Sequence, residues 1–329
     1  MKGPVTKLSA SRVKTAQLCS WLYWAQYILK IPDLQNDGAS RGTICHEIAE
    51  LLSHSKHRKT YDEIILANNV YSNKAVKKLI LFHAKRLGVF SEEHISMMND
   101  MILVALNYDF FGINEFGAPD EVLTEYAFDY IVVDQGKRYA LKGFIDKAFI
   151  YEKIKTILIR DYKTSKARFT GHDIDDNLQD FIYKLAMRKE FPGYRLIMEF
   201  EFLRFPKKPI IRTRENSNIE LDGMEYVLTD IQNTLDSYSL DWAKSSCARS
   251  KGFPKDKSFG GILKCGKPFK KDGSKAYECP FKNSFYYYEL YSKEGKLLKV
   301  AREEDLEKVI PNIDEKLIRK WYQGCPAWN

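Results

Sequence analysis

No apolar run in this chain of 329 residues approaches the ~18 residues that a membrane-spanning helix requires. The opening, MKGPVTKLSASR, also lacks the apolar stretch of a secretory signal. Cysteine is scarce, with six residues. Without an export signal, these thiols are expected in a reducing, cytoplasmic setting, as metal ligands or buried side chains rather than disulfides. No repeat or low-complexity tract stands out either. Apolar residues are not lacking: 44% hydrophobic and 13% aromatic is enough to bury a sizeable core, so general disorder is excluded. Acidic residues are the minority charge, 44 against 52 Lys and Arg, for a net +8. That excess leaves a polyanionic partner open without establishing one.

The first third reads as mostly helical. Val13, Ala16, Leu18, Trp21, Leu22 and Ala25 recur at helical spacing from Ala10 to about Lys30. Ile31–Ser40 is expected to be a loop from its Pro, Gly, Asn and Asp content. A helix then starts near Arg41 and passes through His46 and Glu50, followed by helices over Lys74–Leu87 and Ser91–Phe110. Next, Val122–Val133, Arg138–Tyr151 and Lys155–Lys163 are rich in Val, Ile, Tyr and Phe and are parted by short polar steps, as in a meander. A helix from about Asp175 to Glu190 stops at Pro192-Gly193, and Tyr194–Phe205 and Ile210–Arg214 return to strand character. Leu221–Lys244 reads as one helix, FYYY at Phe285–Tyr288 as a buried strand or helix-packing segment, and Asp314–Tyr322 as a terminal helix. The order α–β–β–β–α–β describes a mixed sheet flanked by helices, an α/β fold. Residues 1–120 form a helical part, 121–244 the core, and 245–329 a Cys- and Lys-rich extension, together one integrated domain.

The informative residues are polar ones where a strand should be apolar. In TILIRDYK, Ile157, Ile159, Asp161 and Lys163 share one face by alternation. GFID places Asp146 in the preceding strand, where a hairpin can bring it beside Asp161. Two carboxylates so placed repel unless a cation lies between them, and hard oxygen ligands suit Mg²⁺ or Mn²⁺. A lysine two residues on can hold a water in line with a phosphorus and offset developing negative charge. By itself, D-x-K is more often a surface ion pair. Its company matters: Gln179 and Tyr183 stand at i and i+4 on the following helix, and RGTICHE puts His46 on the second helix.

These residues resemble the RecB-like branch of the PD-(D/E)XK nucleases, a group that includes lambda-type, AddB-like and CRISPR-adaptation exonucleases. The matching pieces are LSASRVKTAQLC, GTICHE, the Glu125 strand, GFID, RDYKTS and QDFIY, in order from about residue 8 to 205. The resemblance implies a restriction-endonuclease-like αβββαβ core. It implies His46, Asp146, Asp161 and the Tyr162 carbonyl as ligands of Mg²⁺ or Mn²⁺, and Lys163 as the catalytic lysine. Gln179 and Tyr183 would position the phosphate or the strand near it. Glu125 falls where the family often carries a further acid; a solvated strand-face glutamate is the alternative. The activity implied is metal-dependent phosphodiester hydrolysis, as an exonuclease on DNA ends or single strands in repair or recombination, with a helicase or recombination partner. The rival readings are a catalytically silent DNA-binding subunit and a structure-specific DNA or RNA endonuclease.

Several RecB-like nucleases hold an iron–sulfur cluster with one cysteine before the core and three after it, thiolates being the expected ligands. Here that implies Cys19 with Cys247, Cys265 and Cys279 and a [4Fe–4S] cluster. Ser284 stands where a closely spaced last cysteine would be expected. A zinc site or plain burial are the alternatives, and Cys45 and Cys325 read as structural. Between Lys251 and Lys282, seven further lysines (255, 257, 264, 267, 270, 271 and 275) alternate with Phe253, Phe259, Phe269 and Tyr277. This composition suits a flap that tracks phosphates and stacks on bases, or a solvated loop with a few core anchors.

Overall fold

The computed structural model describes residues 5–34, 36–171, 174, 176–247, 279–309 and 311–328. The chain divides into two compact units, one of Met1–Ser9 with Gln35–Gln232 and one of Ala10–Leu34 with Asn233–Asn329. The basic and aromatic segment before Lys282, with Cys265, lies outside the described residues. No helix among the described residues is long and apolar enough to cross a membrane.

The first unit is built on a five-stranded mixed sheet in the order β1-β2-β3-β4-β5. Its strands are β1 (Glu121–Asp134), β2 (Lys137–Tyr151), β3 (Thr156–Lys163), β4 (Arg195–Phe202) and β5 (Ile210–Arg212). The β1–β2 turn places Gln135 and Gly136 at φ 47° and 82° between the paired Asp134 and Lys137. A two-residue turn with both φ positive matches the twist of the strands it joins. β2 runs antiparallel to β3, whereas β3 and β4 are parallel. Parallel neighbours need a crossover, and helix α7 (Leu178–Glu190) supplies it. Asn177 caps that helix by accepting from the N–H groups of Gln179 and Asp180.

Helices α3 (Asp37–Ser53), α4 (Arg58–Ala67), α5 (Lys74–Arg86) and α6 (Glu92–Asn107) precede the sheet. They bury Ile44, Ile48, Leu52, Ile64, Val76, Ile80, Met98 and Ile102 in one core, which also takes in Tyr162 of β3. The fold is thus a mixed α/β sheet with a helical N-terminal region, as the strand order led us to expect. Helix α8 (Asn218–Asp236) follows β5 and begins the passage to the second unit.

In the second unit α1 (Ala10–Leu18) leads into α2 (Ser20–Tyr23), which packs with α9 (Leu240–Cys247) and a three-stranded antiparallel sheet. That sheet is β6 (Phe285–Tyr291), β7 (Leu297–Arg302) and β8 (Lys316–Tyr322), in the order β7-β6-β8.

Several local expectations differ from the structure. The terminal helix is instead β8, whose Trp321 and Ile318 pair across from Tyr286 and Glu289. The Tyr286 and Trp321 rings meet at 4.6 Å, and such cross-strand pairs outweigh a weak helical period. Helix α3 begins at Asp37, inside the expected loop, because Asn36 accepts from the Ala39 N–H and starts it four residues early. The helix expected over Leu221–Lys244 breaks between α8 and α9, where Ser239 Oγ accepts from the Trp242 N–H and begins a new helix. The first helix is interrupted at Cys19, which is extended (φ −160°, ψ 123°).

Candidate active site and thiol cluster

β2 and β3 pair up to Lys147 opposite Arg160. One step further the ladder ends, and Asp146 takes the place of a strand contact. Its Oδ2 accepts from the Tyr162 N–H at 2.7 Å. Its Oδ1 lies 3.3 Å from His46 Nδ1 of α3. Helix α3 can come this close because residue 42 is glycine: a Cβ there would stand 2.8 Å from Thr164 Oγ1, just beyond β3. Gly143 of GFID serves a similar purpose, since a Cβ would meet the Phe128 ring at 2.6 Å. Phe128 in turn packs edge-on against Tyr183, with ring centroids 6.0 Å apart.

Glu125 lies in β1 between Thr124 and Tyr126, whose partners Lys147 and Ile145 flank Asp146. Its φ of +47° is left-handed, a conformation that costs a non-glycine residue of order 1 kcal/mol or more. One ligand atom each from His46, Glu125 and Asp146 falls within 4.8 Å of the others.

Alongside stands a hydrogen-bonded chain. Lys163 Nζ lies 2.6 Å from Asp161 Oδ2 and donates to Gln179 Oε1 at 2.7 Å. Gln179 Nε2 donates to Asp161 Oδ1 at 2.6 Å and to the Tyr183 hydroxyl at 2.7 Å, using both its protons. The i, i+4 spacing on α7 therefore places both side chains on Asp161. The Tyr162 side chain is buried in the helical core and leaves this group to its neighbours on either side. All seven side chains expected at a nuclease centre, from His46 to Tyr183, thus occupy one region of the first unit.

The site is rich in negative charge. Burial works against a charged His46, yet Asp146, Asp161 and Glu125 outweigh it and raise its pKa to about 9. Burial and then Asp146 raise Glu125 to about 7, against the opposing pull of His46. Burial raises Asp161 too, opposed by Lys163 and reinforced by Asp146. An imidazole nitrogen and clustered carboxylate oxygens that hold protons for want of a counter-charge are a donor set that fits a hard divalent cation.

A pH dependence follows. In the metal-free fold, His46 and Glu125 bind protons more tightly than their ordinary values of 6.5 and 4.5. The stability His46 contributes is complete below 6.5 and lost as pH rises through about 9; for Glu125 it is complete below 4.5 and lost through about 7. A cation competes with those protons. The rise in melting temperature given by Mg²⁺ or Mn²⁺ over EDTA should therefore grow from about pH 6 to about pH 9, and shrink in Glu125→Gln. A metal increment independent of pH in both proteins would contradict this.

Cys45 is buried in the helical core of the first unit, and the other four described cysteines lie in the second. Cys247 and Cys325 are buried beside Trp21, Phe281, Tyr287 and Tyr322, with Cys19 and Cys279 packed against the same cluster. None of the five described cysteines is in a disulfide. Cys325 gave no sequence signal beyond being a cysteine in the tail.

A family model for the PD-(D/E)XK nuclease superfamily matches residues 7–248. The chain belongs to the PD-(D/E)XK nuclease superfamily. Among solved structures, that of SSO0001 is 17% identical with a TM-score of 0.24, covering 62% of this chain and 95% of that one. Protein VC1899 from Vibrio cholerae is 12% identical with a TM-score of 0.22, covering 73% of this chain and 58% of that one. No curated protein matches the chain. Nucleases of this superfamily use divalent metals and bind DNA, and the His46, Glu125 and Asp146 group supplies a carboxylate and imidazole site of that kind.

Proposed function

We propose that this superfamily member is a DNA nuclease of the RecB-like branch, working as an exonuclease on DNA ends or single strands. The observation that supports it most is the chain Lys163–Asp161–Gln179–Tyr183 set against the His46, Glu125 and Asp146 group. His46, Glu125, Asp146, Asp161 and the Tyr162 carbonyl would hold Mg²⁺ or Mn²⁺, which supplies Lewis acidity toward the scissile phosphate and eases deprotonation of the attacking water. Lys163 orients that water and offsets charge that develops on the phosphate oxygens. Gln179 fixes both the lysine and Asp161, so neither needs to reorganise as charge develops. Tyr183, which accepts from Gln179, donates at 3.5 Å to Asp161 Oδ1, the oxygen that Gln179 also binds, and would position the phosphate or the strand near it.

The same reading gives Cys19, Cys247, Cys265 and Cys279 to an iron–sulfur cluster, Cys265 lying outside the described residues, with DNA processing in repair or recombination as the setting.

The test is cleavage of end-labelled linear single- and double-stranded DNA and of a closed circle, with Mg²⁺, Mn²⁺ or EDTA, by the native chain and Asp161→Ala. The proposal expects metal-dependent release of short products from linear substrates, an intact circle, and no activity in EDTA or in the variant. Tight DNA binding without turnover would favour a silent binding subunit. Cutting of the circle would favour an endonuclease. Equal cleavage by the native chain and the variant would reject the site.

A further inference from the structure

We infer that Cys325, four residues from the end of the given sequence, completes a four-thiolate cage with Cys19, Cys247 and Cys279 that holds an iron–sulfur cluster. This rests on the reading of the cysteines as cluster ligands and is independent of the cleavage chemistry.

Three observations bring Cys325 into the group. First, the segment carrying it is bonded to the segment carrying Cys279. The Cys325 N–H donates to the Lys282 carbonyl at 3.0 Å, and the Lys282 N–H donates to the Cys279 carbonyl at 3.1 Å. The Trp328 N–H then closes a turn on the Cys325 carbonyl at 3.0 Å. Second, burial raises both the Cys247 and Cys325 thiols, the latter to about 12, while a hydrogen bond between Cys325 and Cys247 and the Ala327 backbone N–H donating to both sulfurs pull the other way. An N–H aimed at a thiol does little for a neutral S–H but stabilises a thiolate, the form that binds metal. Third, Cys19, Cys247 and Cys279 all lie within electrostatic reach of Cys325. Four thiols from four separate stretches of chain therefore converge within one unit.

The surroundings are apolar and aromatic. Trp21, Phe281, Tyr287 and Tyr322 line the cluster. Trp21 Nε1 donates to the Tyr322 hydroxyl at 2.5 Å, which donates to the Phe281 carbonyl at 2.8 Å, so the polar edges of these rings are already satisfied. Four thiolates suit an iron–sulfur core or a single tetrahedral zinc, and the metal content of the native chain separates the two.

The helix break at Cys19 acquires a purpose here. Its extended backbone separates α1 from α2, and the residue after it, Ser20, is tied by its hydroxyl to the Ala243 carbonyl of α9, one turn before Cys247.

The experiment compares the full chain with Cys325→Ser and Cys265→Ser after anaerobic purification, reading iron, acid-labile sulfide and visible absorption. The expected result is iron and sulfide in equal amounts in the native chain, the same in Cys265→Ser, and at least a several-fold loss in Cys325→Ser. Full iron in Cys325→Ser with loss in Cys265→Ser would overturn the ligand assignment and leave the cluster reading standing. Zinc, or no metal, in the native chain would overturn the cluster reading itself. Since a serine at 325 can also weaken folding, the native protein provides a second measurement. Anaerobic alkylation with iodoacetamide and peptide mapping should modify Cys325 only after iron is chelated, whereas modification of Cys265 should not depend on iron. Modification of Cys325 with iron in place and Cys265 protected would reject the assignment. Neither readout depends on nuclease activity.

Discussion

Lys163→Met is expected to lower kcat for DNA cleavage by about 10²–10⁴-fold while leaving divalent-metal affinity unchanged or slightly tighter. The prediction comes from the position of the ammonium. It lies 2.6 Å from Asp161 Oδ2 and donates to Gln179 Oε1. In the metal-free site the lysine is the cation nearest the Asp161 carboxylate, and it opposes the rise in that group's pKa. A divalent ion seeking Asp161 competes with Lys163, so removing the lysine removes a competitor as well as a catalytic charge. Asp161→Asn should behave differently, losing both turnover and metal binding. The check is isothermal titration with Mn²⁺ beside single-turnover cleavage. If Lys163→Met loses metal affinity in step with activity, the lysine's role is to hold Asp161 in place, and its assignment to the water and phosphate fails.

Much of this centre was legible in the sequence because it obeys local rules. Alternation along TILIRDYK places Asp161 and Lys163 on one face, and an i, i+4 pair on a helix brings Gln179 and Tyr183 together. What was not legible depends on contacts distant in sequence. Glu125 reads equally well as a solvated strand residue; its left-handed backbone and its place opposite Asp146 bring its carboxylate beside His46 and Asp146. Cys325 has no motif, and its partners lie up to three hundred residues away. The strand β8 is short and has no clean alternation of its own, so its state is decided by pairing with β6. Helix α4 is not evident in the sequence because Ile64 is its only fully buried side chain, too narrow a stripe to stand out.

Alternation that puts Asp161 on the Lys163 side of the sheet puts Arg160 on the other, and Arg160→Met is expected to destabilise the first unit by about 3–5 kcal/mol. The Arg160 side chain is 1% exposed. Its Nε donates to Glu199 Oε1 at 2.6 Å, its Nη1 donates to the Tyr108 carbonyl at 2.6 Å, and Glu201 Oε2 lies 3.4 Å away. Glu199 would keep Arg212, whose Nε donates to its other oxygen at 3.2 Å. Glu201 has no such reserve: it is fully buried, and neither oxygen has a hydrogen-bond partner among the described residues. Burial already raises its pKa to about 8 against the pull of Arg160. Without the guanidinium, Glu201 must stay protonated in the fold, so the deficit should be largest at alkaline pH and smaller near pH 5. Arg160→Lys should recover little, because an ammonium cannot meet two carboxylates and a carbonyl in one plane. Removing the acids as well, in Arg160→Met with Glu199→Gln and Glu201→Gln, should restore most of the loss, since the cost lies in unpaired buried charge rather than in the missing pair. Urea unfolding of the four proteins at pH 5 and pH 8 decides the matter. A single Arg160→Met variant within about 1 kcal/mol of the native chain at both pH values would mean that this buried network does not hold β3 and β4 together behind the site.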